Sequence, residues 1–316
     1  NFAEWDTSVD GHWDYTQNSE RIKEVLDHRV QTASSNENIY TVGIRGMHDS
    51  GMSGADSPED GARILEQVID DEREILSRHI DKPVNEIPQV FVPYKEVLDY
   101  YDAGLDLPED ITIMWAEDNF GYIKRFSDSA EQQRSGGGGV YYHLSYLGVP
   151  HPYIWLCSTS PSLVWREMNR AWQMNMRDVW IVNVGDLKRR EWQMEFFLQT
   201  AWDIDKWNRY NVSDYFDEVA ARDIGQEYAD QIADIMRRYT VLANQRKPEL
   251  MGFANHWWGM NEPEDPAFTL FAHSDRAAQR IENYKALRQD SQQLYDNLPE
   301  AAKDAFFQLV HYPAAA

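Results

Sequence analysis

Glu117, Asp118 and Asn119 stand directly after an apolar run, Ile111-Thr-Ile-Met-Trp-Ala116, and carboxylates so placed are equipped for acid–base chemistry. Two carboxylates and an amide beside Trp115 and Phe120 are costly to desolvate unless they have something to bind. The arrangement recurs along the chain. Residues 39–45 run into His48 and Asp49, and 89–94 into Lys95 and Glu96; residues 139–142 run into His143, and 178–182 into Asn183 and Asp186. Asp49, Glu96, Glu117 and Asp118 are therefore candidate acids and bases. His48, Asp49, His143, Glu117 and Asp118 could instead ligate a metal in a hydrolytic barrel, but no His-x-His or His-Glu-x-x-His spacing supports that, and no metal or other cofactor is expected.

Short β-branched apolar runs read as buried parallel strands. Polar groups at the C-terminal ends of successive parallel strands are how a β/α barrel builds an active site. Helical spacing covers residues 18–30, with Asn18 or Ser19 placed to cap it, and Ser57-Pro-Glu-Asp60 opens a second helix running through Leu76. A short helix over 97–103 is closed by Gly104, and helices over 162–174 and 191–201 flank the fifth strand. Ser135-Gly-Gly-Gly-Gly139 invites a phosphate-loop reading, but it precedes a strand instead of opening a helix, so a helix-to-strand turn is the expectation. From about residue 203 the periodicity is helical only, clearest at 215–225, 228–243, 276–297 and 301–310.

The expected class is therefore α/β, with five strand-then-helix units over residues 1–202 followed by an all-α domain over 203–316. Five units cannot close an eight-stranded barrel. Either the sheet is a five-stranded doubly wound one, or three further strands lie upstream of Asn1. In the second case the edge strands, 39–45 and 178–182, are normally paired to those strands.

The 316 residues are 42% hydrophobic and 13% aromatic, ample for a core, and the aromatic excess also suits stacking on sugar rings. A formal net charge of −23 argues against nucleic acid or an anionic membrane as partner. The single cysteine, Cys157, excludes an intrachain disulfide and any multi-thiolate zinc site, and reads as a packed thiol. No run of 18 apolar residues marks a membrane span.

Gly11-His-Trp-Asp-Tyr15, Gly43-Ile-Arg-Gly-Met47, Val92-Pro-Tyr-Lys-Glu-Val97 and Trp115-Ala-Glu-Asp-Asn-Phe-Gly121 resemble glycoside hydrolase family 115, the xylan α-1,2-glucuronidases. So do Gly139-Val-Tyr-Tyr-His143, Trp180-Ile-Val-Asn-Val-Gly-Asp-Leu-Lys188, Arg246-Lys-Pro-Glu-Leu250 and Ala305-Phe-Phe-Gln-Leu-Val310. The resemblance implies a TIM-type (β/α) barrel, of which the last five units and the following helical domain are present, in a longer enzyme. An essential carboxylate of the family, on an early barrel strand, has no counterpart here. It implies removal of α-1,2-linked (4-O-methyl-)glucuronic acid from glucuronoxylan or aldouronic acids by inversion. That reaction needs a carboxylic acid for the leaving oxygen and a carboxylate roughly 6.5–9.5 Å away to activate water. The resemblance points to Asp49, Glu96, Glu117 and Asn119 as active-site positions, with Asn183 near the sugar. Glu117 stands where the family commonly has aspartate. Because the substrate is an acid, Arg45 could grip its carboxylate in a two-pronged contact, with His143 or Lys95 adding donors, or Arg45 and Lys95 could instead hold Asp49 and Glu96 in structural ion pairs. Tyr94 and Trp115 could stack on sugar rings or pack in the core. A periplasmic or secreted location and a homodimer are expected of the full-length enzyme. A non-catalytic carbohydrate-binding fragment is the alternative reading.

Overall fold

Ser57 illustrates how local chemistry sets the elements. Its hydroxyl accepts the Asp60 amide at 3.1 Å and Pro58 follows where no amide donor is needed, so α2 (Pro58–His79) begins there. Glu59 and Asp60 at its start and Arg78 and His79 at its end complement the helix dipole. Leu65, Val68, Ile69, Ile75 and Leu76 form its buried stripe.

The computed structural model describes residues 5–145, 156–247 and 275–316. Five strands form one sheet in the order β1 (Tyr40–Val42), β2 (Gln89–Phe91), β3 (Thr112–Ala116), β4 (Gly138–His143) and β5 (Val179–Asn183). The first four pair in parallel, with Val42 opposite Phe91, Phe91 opposite Ile113 and Ala116 opposite Tyr141. On β5, the Asp178 amide donates to Gly138 O and the Leu144 amide donates to Asn183 O, at 2.9 and 2.8 Å. Residue numbers rise together along that pair, so it too is parallel. Spatial order follows sequence order throughout. A doubly wound sheet would reverse direction at a switch point, whereas this order is that of a singly wound barrel wall.

The glycine run before β4 serves backbone approach. A Cβ on Gly139 would stand 2.3 Å from Val179 O, so only glycine lets β4 and β5 meet there. The run leads into a strand as expected.

Two expectations need correction. Helix α1 (Tyr15–Ala33) starts before Asn18, because the Asp14 side chain accepts the Thr16 amide and caps it. Asn18 instead breaks the helical backbone inside it (φ −129°, ψ 28°). The β3–β4 connection carries no α-helix among its residues, only the single turn Glu131–Gln133. Asp128 holds the start of that turn, its Oδ1 accepting the amides of Ala130 and Glu131 at 2.8 and 2.9 Å, and the glycines from Gly136 follow before a helix can extend.

The remaining helices are α3 (Glu96–Asp102), α4 (Pro161–Gln173), α5 (Glu191–Trp202), α6 (Tyr215–Asp223), α7 (Ala229–Gln245), α8 (Arg276–Asn297), α9 (Glu300–Phe306) and α10 (Tyr312–Ala315). After α5 every described element is helical. The chain forms two compact units, one of Asn1–Ala116, Lys124–Tyr141 and Gln173–Trp180, the other of Glu117–Ile123, Tyr142–Trp172 and Ile181–Ala316. In the first, Ile22, Leu65, Val68, Val90, Phe91, Ile113 and Trp115 are buried. In the second, Tyr215 centres an aromatic cluster, with Phe196 at 4.9 Å and Trp207 at 5.6 Å between ring centroids. None of the helices among the described residues is long and apolar enough to cross a membrane.

Candidate active site

Four of the candidate residues meet in the first unit. Beyond β1 the backbone carries Arg45, and beyond β2 it carries Tyr94, Lys95 and Glu96. Arg45 Nε and Nη2 donate to Glu96 Oε1 and Oε2, each at 2.9 Å. This is a two-pronged guanidinium–carboxylate pair, the strongest geometry for such a contact. The expected two-pronged grip of Arg45 is thus made on Glu96 within the protein. Glu96 Oε1 also accepts the Met52 amide at 3.3 Å, and its side chain keeps 23% exposure, so solvent or a ligand reaches it.

The Tyr94 ring lies beneath two cations, the Arg45 guanidinium at 5.1 Å and the Lys95 ammonium at 5.0 Å from its centroid. Lys95 holds φ 53°, ψ −122°, a costly backbone conformation for a residue with a side chain. Such strain gathers at functional sites. Asp49 closes the turn Met47–Asp49 after a left-handed His48 (φ 53°), and its side chain lies outside the described part of the structure.

Trp115 is a correction. It is 1% exposed, its Nε1 donates to Ser127 Oγ at 2.8 Å, and the Arg125 guanidinium sits 4.6 Å over its ring. Tyr101 meets it edge-on at 5.7 Å. The ring is core, with no face for a sugar, because an inward position on a buried central strand leaves none.

The second unit holds Glu117, Asn119, His143 and Asn183. Glu117 follows β3 with its side chain wholly buried, and its two oxygens are both engaged. Oε1 contacts His143 Nδ1 and Oε2 accepts the Gly121 amide at 2.7 Å. His143, the last residue of β4, has a 10% exposed side chain. A carboxylate on Nδ1 fixes the tautomer and ring orientation, as in other carboxylate–histidine pairs. With its side chain buried and both oxygens engaged, Glu117 holds His143 and the turn that follows β3.

The loop after β3 is a tight turn. Glu117 and Ile123 form an antiparallel bridge, and Asp118 Oδ1 accepts the Phe120 and Tyr122 amides at 2.9 and 3.0 Å. Asn119 at its tip has φ 69°, a left-handed conformation asparagine tolerates better than most residues. Asn183 ends β5, and its Oδ1 accepts the Gly185 amide at 3.1 Å.

Sequence reading passed over two buried groups that hold this turn. The Tyr142 hydroxyl donates to Gly121 O at 2.9 Å, and Glu167 Oε2 accepts the Ile123 amide at 3.0 Å. Glu167 had a signal: a carboxylate inside the apolar stripe Leu163, Val164, Met168, Ala171 of α4. Among the described residues no three His, Cys, Asp or Glu side chains lie close enough to hold a metal ion.

Residues 1–250 match the family model of glycosyl hydrolase family 115. The chain belongs to that family. Among solved structures it is similar to a family GH115 4-O-methyl-alpha-glucuronidase, BtGH115A, with specificity for decorated arabinogalactans. The identity is 37% and the TM-score 0.89, over 98% of this chain and 41% of that one. The chain thus spans about two-fifths of the length of that relative. A GH138 enzyme targeting pectin rhamnogalacturonan II shares the fold at 13% identity and TM-score 0.50, over 94% of this chain and 41% of the other. Comparison with curated proteins gave no match. In this family-115 chain the Arg45–Glu96 pair and the Glu117–His143 pair both stand on residues quoted above as motifs.

Proposed function

We propose that this chain is part of an α-glucuronidase that removes α-1,2-linked (4-O-methyl-)glucuronic acid from glucuronoxylan or aldouronic acids, with inversion. The observation that carries the reading is Glu96, a carboxylate that keeps solvent access while a two-pronged arginine fixes both its oxygens. A carboxylate so fixed serves as one member of an acid–base pair without losing its orientation between turnovers. Asp49 is proposed as a further acidic group at the same end of β1. In the first unit Lys95, whose ammonium is held at the Tyr94 ring, is a cationic group suited to a uronate carboxylate; in the second, His143, turned by Glu117, is a hydrogen-bonding group suited to the sugar. Asn119 and Asn183 supply amides for sugar hydroxyls.

For the polymer, one observation favours a second reading. The relative at 37% identity has specificity for decorated arabinogalactans, so glucuronic acid carried on that backbone is the competing substrate. The test is release of acid by the full-length protein from glucuronoxylan, aldouronic acids and arabinogalactan side by side, followed by NMR. The xylan reading expects the first two to be cleaved and the β-anomer to appear first. Preference for arabinogalactan transfers the activity to that polymer, and initial α-anomer overturns inversion. Retention on glucuronoxylan with no turnover leaves a carbohydrate-binding protein.

A further inference from the structure

Glu167 is a carboxylate with no exposure at all, on a helix position whose neighbours Leu163, Val164, Met168 and Ala171 are apolar. Leucine would fill that stripe without the cost of burying a charge. Arg170 Nη1 offsets part of the cost at 3.1 Å from Oε1. What the carboxylate does that leucine cannot is accept the Ile123 amide. Tyr142, also wholly buried, donates its hydroxyl to the carbonyl of Gly121, two residues earlier. The two grips come from α4 and β4 and close on one leg of the 117–123 turn.

The turn has no slack between them. A Cβ on Gly121 would lie 2.9 Å from Leu163 Cδ2 and 3.0 Å from the Tyr142 hydroxyl oxygen, and its φ of 97° excludes ordinary side chains. Gly121 in turn donates its amide to Glu117 Oε2, while Glu117 Oε1 holds His143. Displacing Gly121 therefore displaces Glu117 and, through it, the imidazole. Burial, then the charge of Glu117, pushes the Tyr142 phenol well above its ordinary range, so it stays a donor.

We propose that Glu167 and Tyr142 are positioning residues: they seat the 117–123 turn so that Glu117 holds His143 and Asn119 is presented in one orientation. The functional consequence rests on the glucuronidase reading of His143 and Asn119; the mechanical one does not. The experiment uses the full-length protein and the variants Glu167→Leu, Glu167→Gln and Tyr142→Phe. Hydrogen exchange of the peptide covering 117–123 is measured by mass spectrometry, with kcat and KM on an aldouronic acid measured beside it.

Loss of one buried hydrogen bond should speed exchange of that peptide about tenfold in Glu167→Leu and Tyr142→Phe. Glu167→Gln keeps an acceptor for Ile123 and should stay near wild type. Turnover should follow the same order, with kcat falling about tenfold or more in the first two variants and recovering in Glu167→Gln. Unchanged exchange in Tyr142→Phe and Glu167→Leu overturns the proposal. So does an equal loss in Glu167→Gln and Glu167→Leu, which marks a generic packing role. Should Glu167→Leu fail to fold, Tyr142→Phe and Glu167→Gln decide alone. If the wild type turns over no glucuronoside, the function reading falls and the exchange result still judges the grip.

Discussion

Arg45 carries the sharpest residue-level consequence. With both prongs on Glu96, its removal should act on the carboxylate it holds and not on one kind of substrate. Arg45→Ala is expected to lower kcat about 10²-fold, toward the lower end of what general acid–base catalysis supplies. The loss should be the same factor for uronate substrates and for any weakly accepted neutral α-glucoside. Arg45→Lys should recover little, since an ammonium cannot reproduce the fork. A loss confined to uronates, measured as kcat/KM for both substrate types, would restore Arg45 as the carboxylate clamp. The candidates Glu96, Glu117 and His143 were legible because each ends an apolar run. Which partner each takes was not. Arg45 and Glu96 lie 51 residues apart and Glu117 and His143 26 apart, so only the parallel pairing of β1–β2 and β3–β4 joins them. Trp115 stayed open between the two because an aromatic at a strand end looks alike whether it faces core or cleft.

At the scale of elements, α2 sets a pH dependence. Glu72 reaches from α2 to accept the Gly43 amide at 2.7 Å just past β1. Burial pushes its carboxyl up to about 8, against the opposing pull of that hydrogen bond. The folded chain therefore holds this proton more tightly than the unfolded chain, whose group titrates near 4.5. Stability from this group is fully present below about pH 4.5 and is lost as pH rises through about 8. Glu72→Gln should match wild type in Tm near pH 4.5 and exceed it progressively up to about pH 8, beyond which the difference levels off. A Tm difference that is constant with pH, read by calorimetry, contradicts this. The helix starts were largely legible from caps: Ser57 was seen because serine, proline and two acids fall in order. Asp14 was missed because asparagine and serine also stand within the first turn it caps, and sequence alone does not say which side chain turns back. The absent helix between β3 and β4 shows the same limit: Asp128 holds the start of a single turn there, and the glycines from Gly136 follow too soon for it to extend.

For the whole molecule, the strand order chose between the two architectures that sequence left open. Hydrophobic runs give the number of strands but not their neighbours, and the sequential order becomes visible only in the register. The edge strands differ from the central ones: all of β2 is buried, whereas β5 is partly open along its length, with Ile181 40% exposed, as is Ile39 beside β1 at 54%. Open edges with apolar residues template association. The 316 residues expressed alone are expected to self-associate and to melt without a single cooperative transition. A monodisperse monomer by light scattering, with one sharp transition, would show that these edges are content in water.

Glu96 is the group on which the proposed chemistry depends most directly. The direct measurement is steady-state hydrolysis of an aldouronic acid by the full-length protein and by its Glu96→Gln variant, which keeps the size of the side chain and removes its acid–base capacity. If Glu96 is one of the acid–base pair, kcat falls about 10²–10⁴-fold with KM changed far less. A variant that turns over within a few-fold of wild type would contradict it.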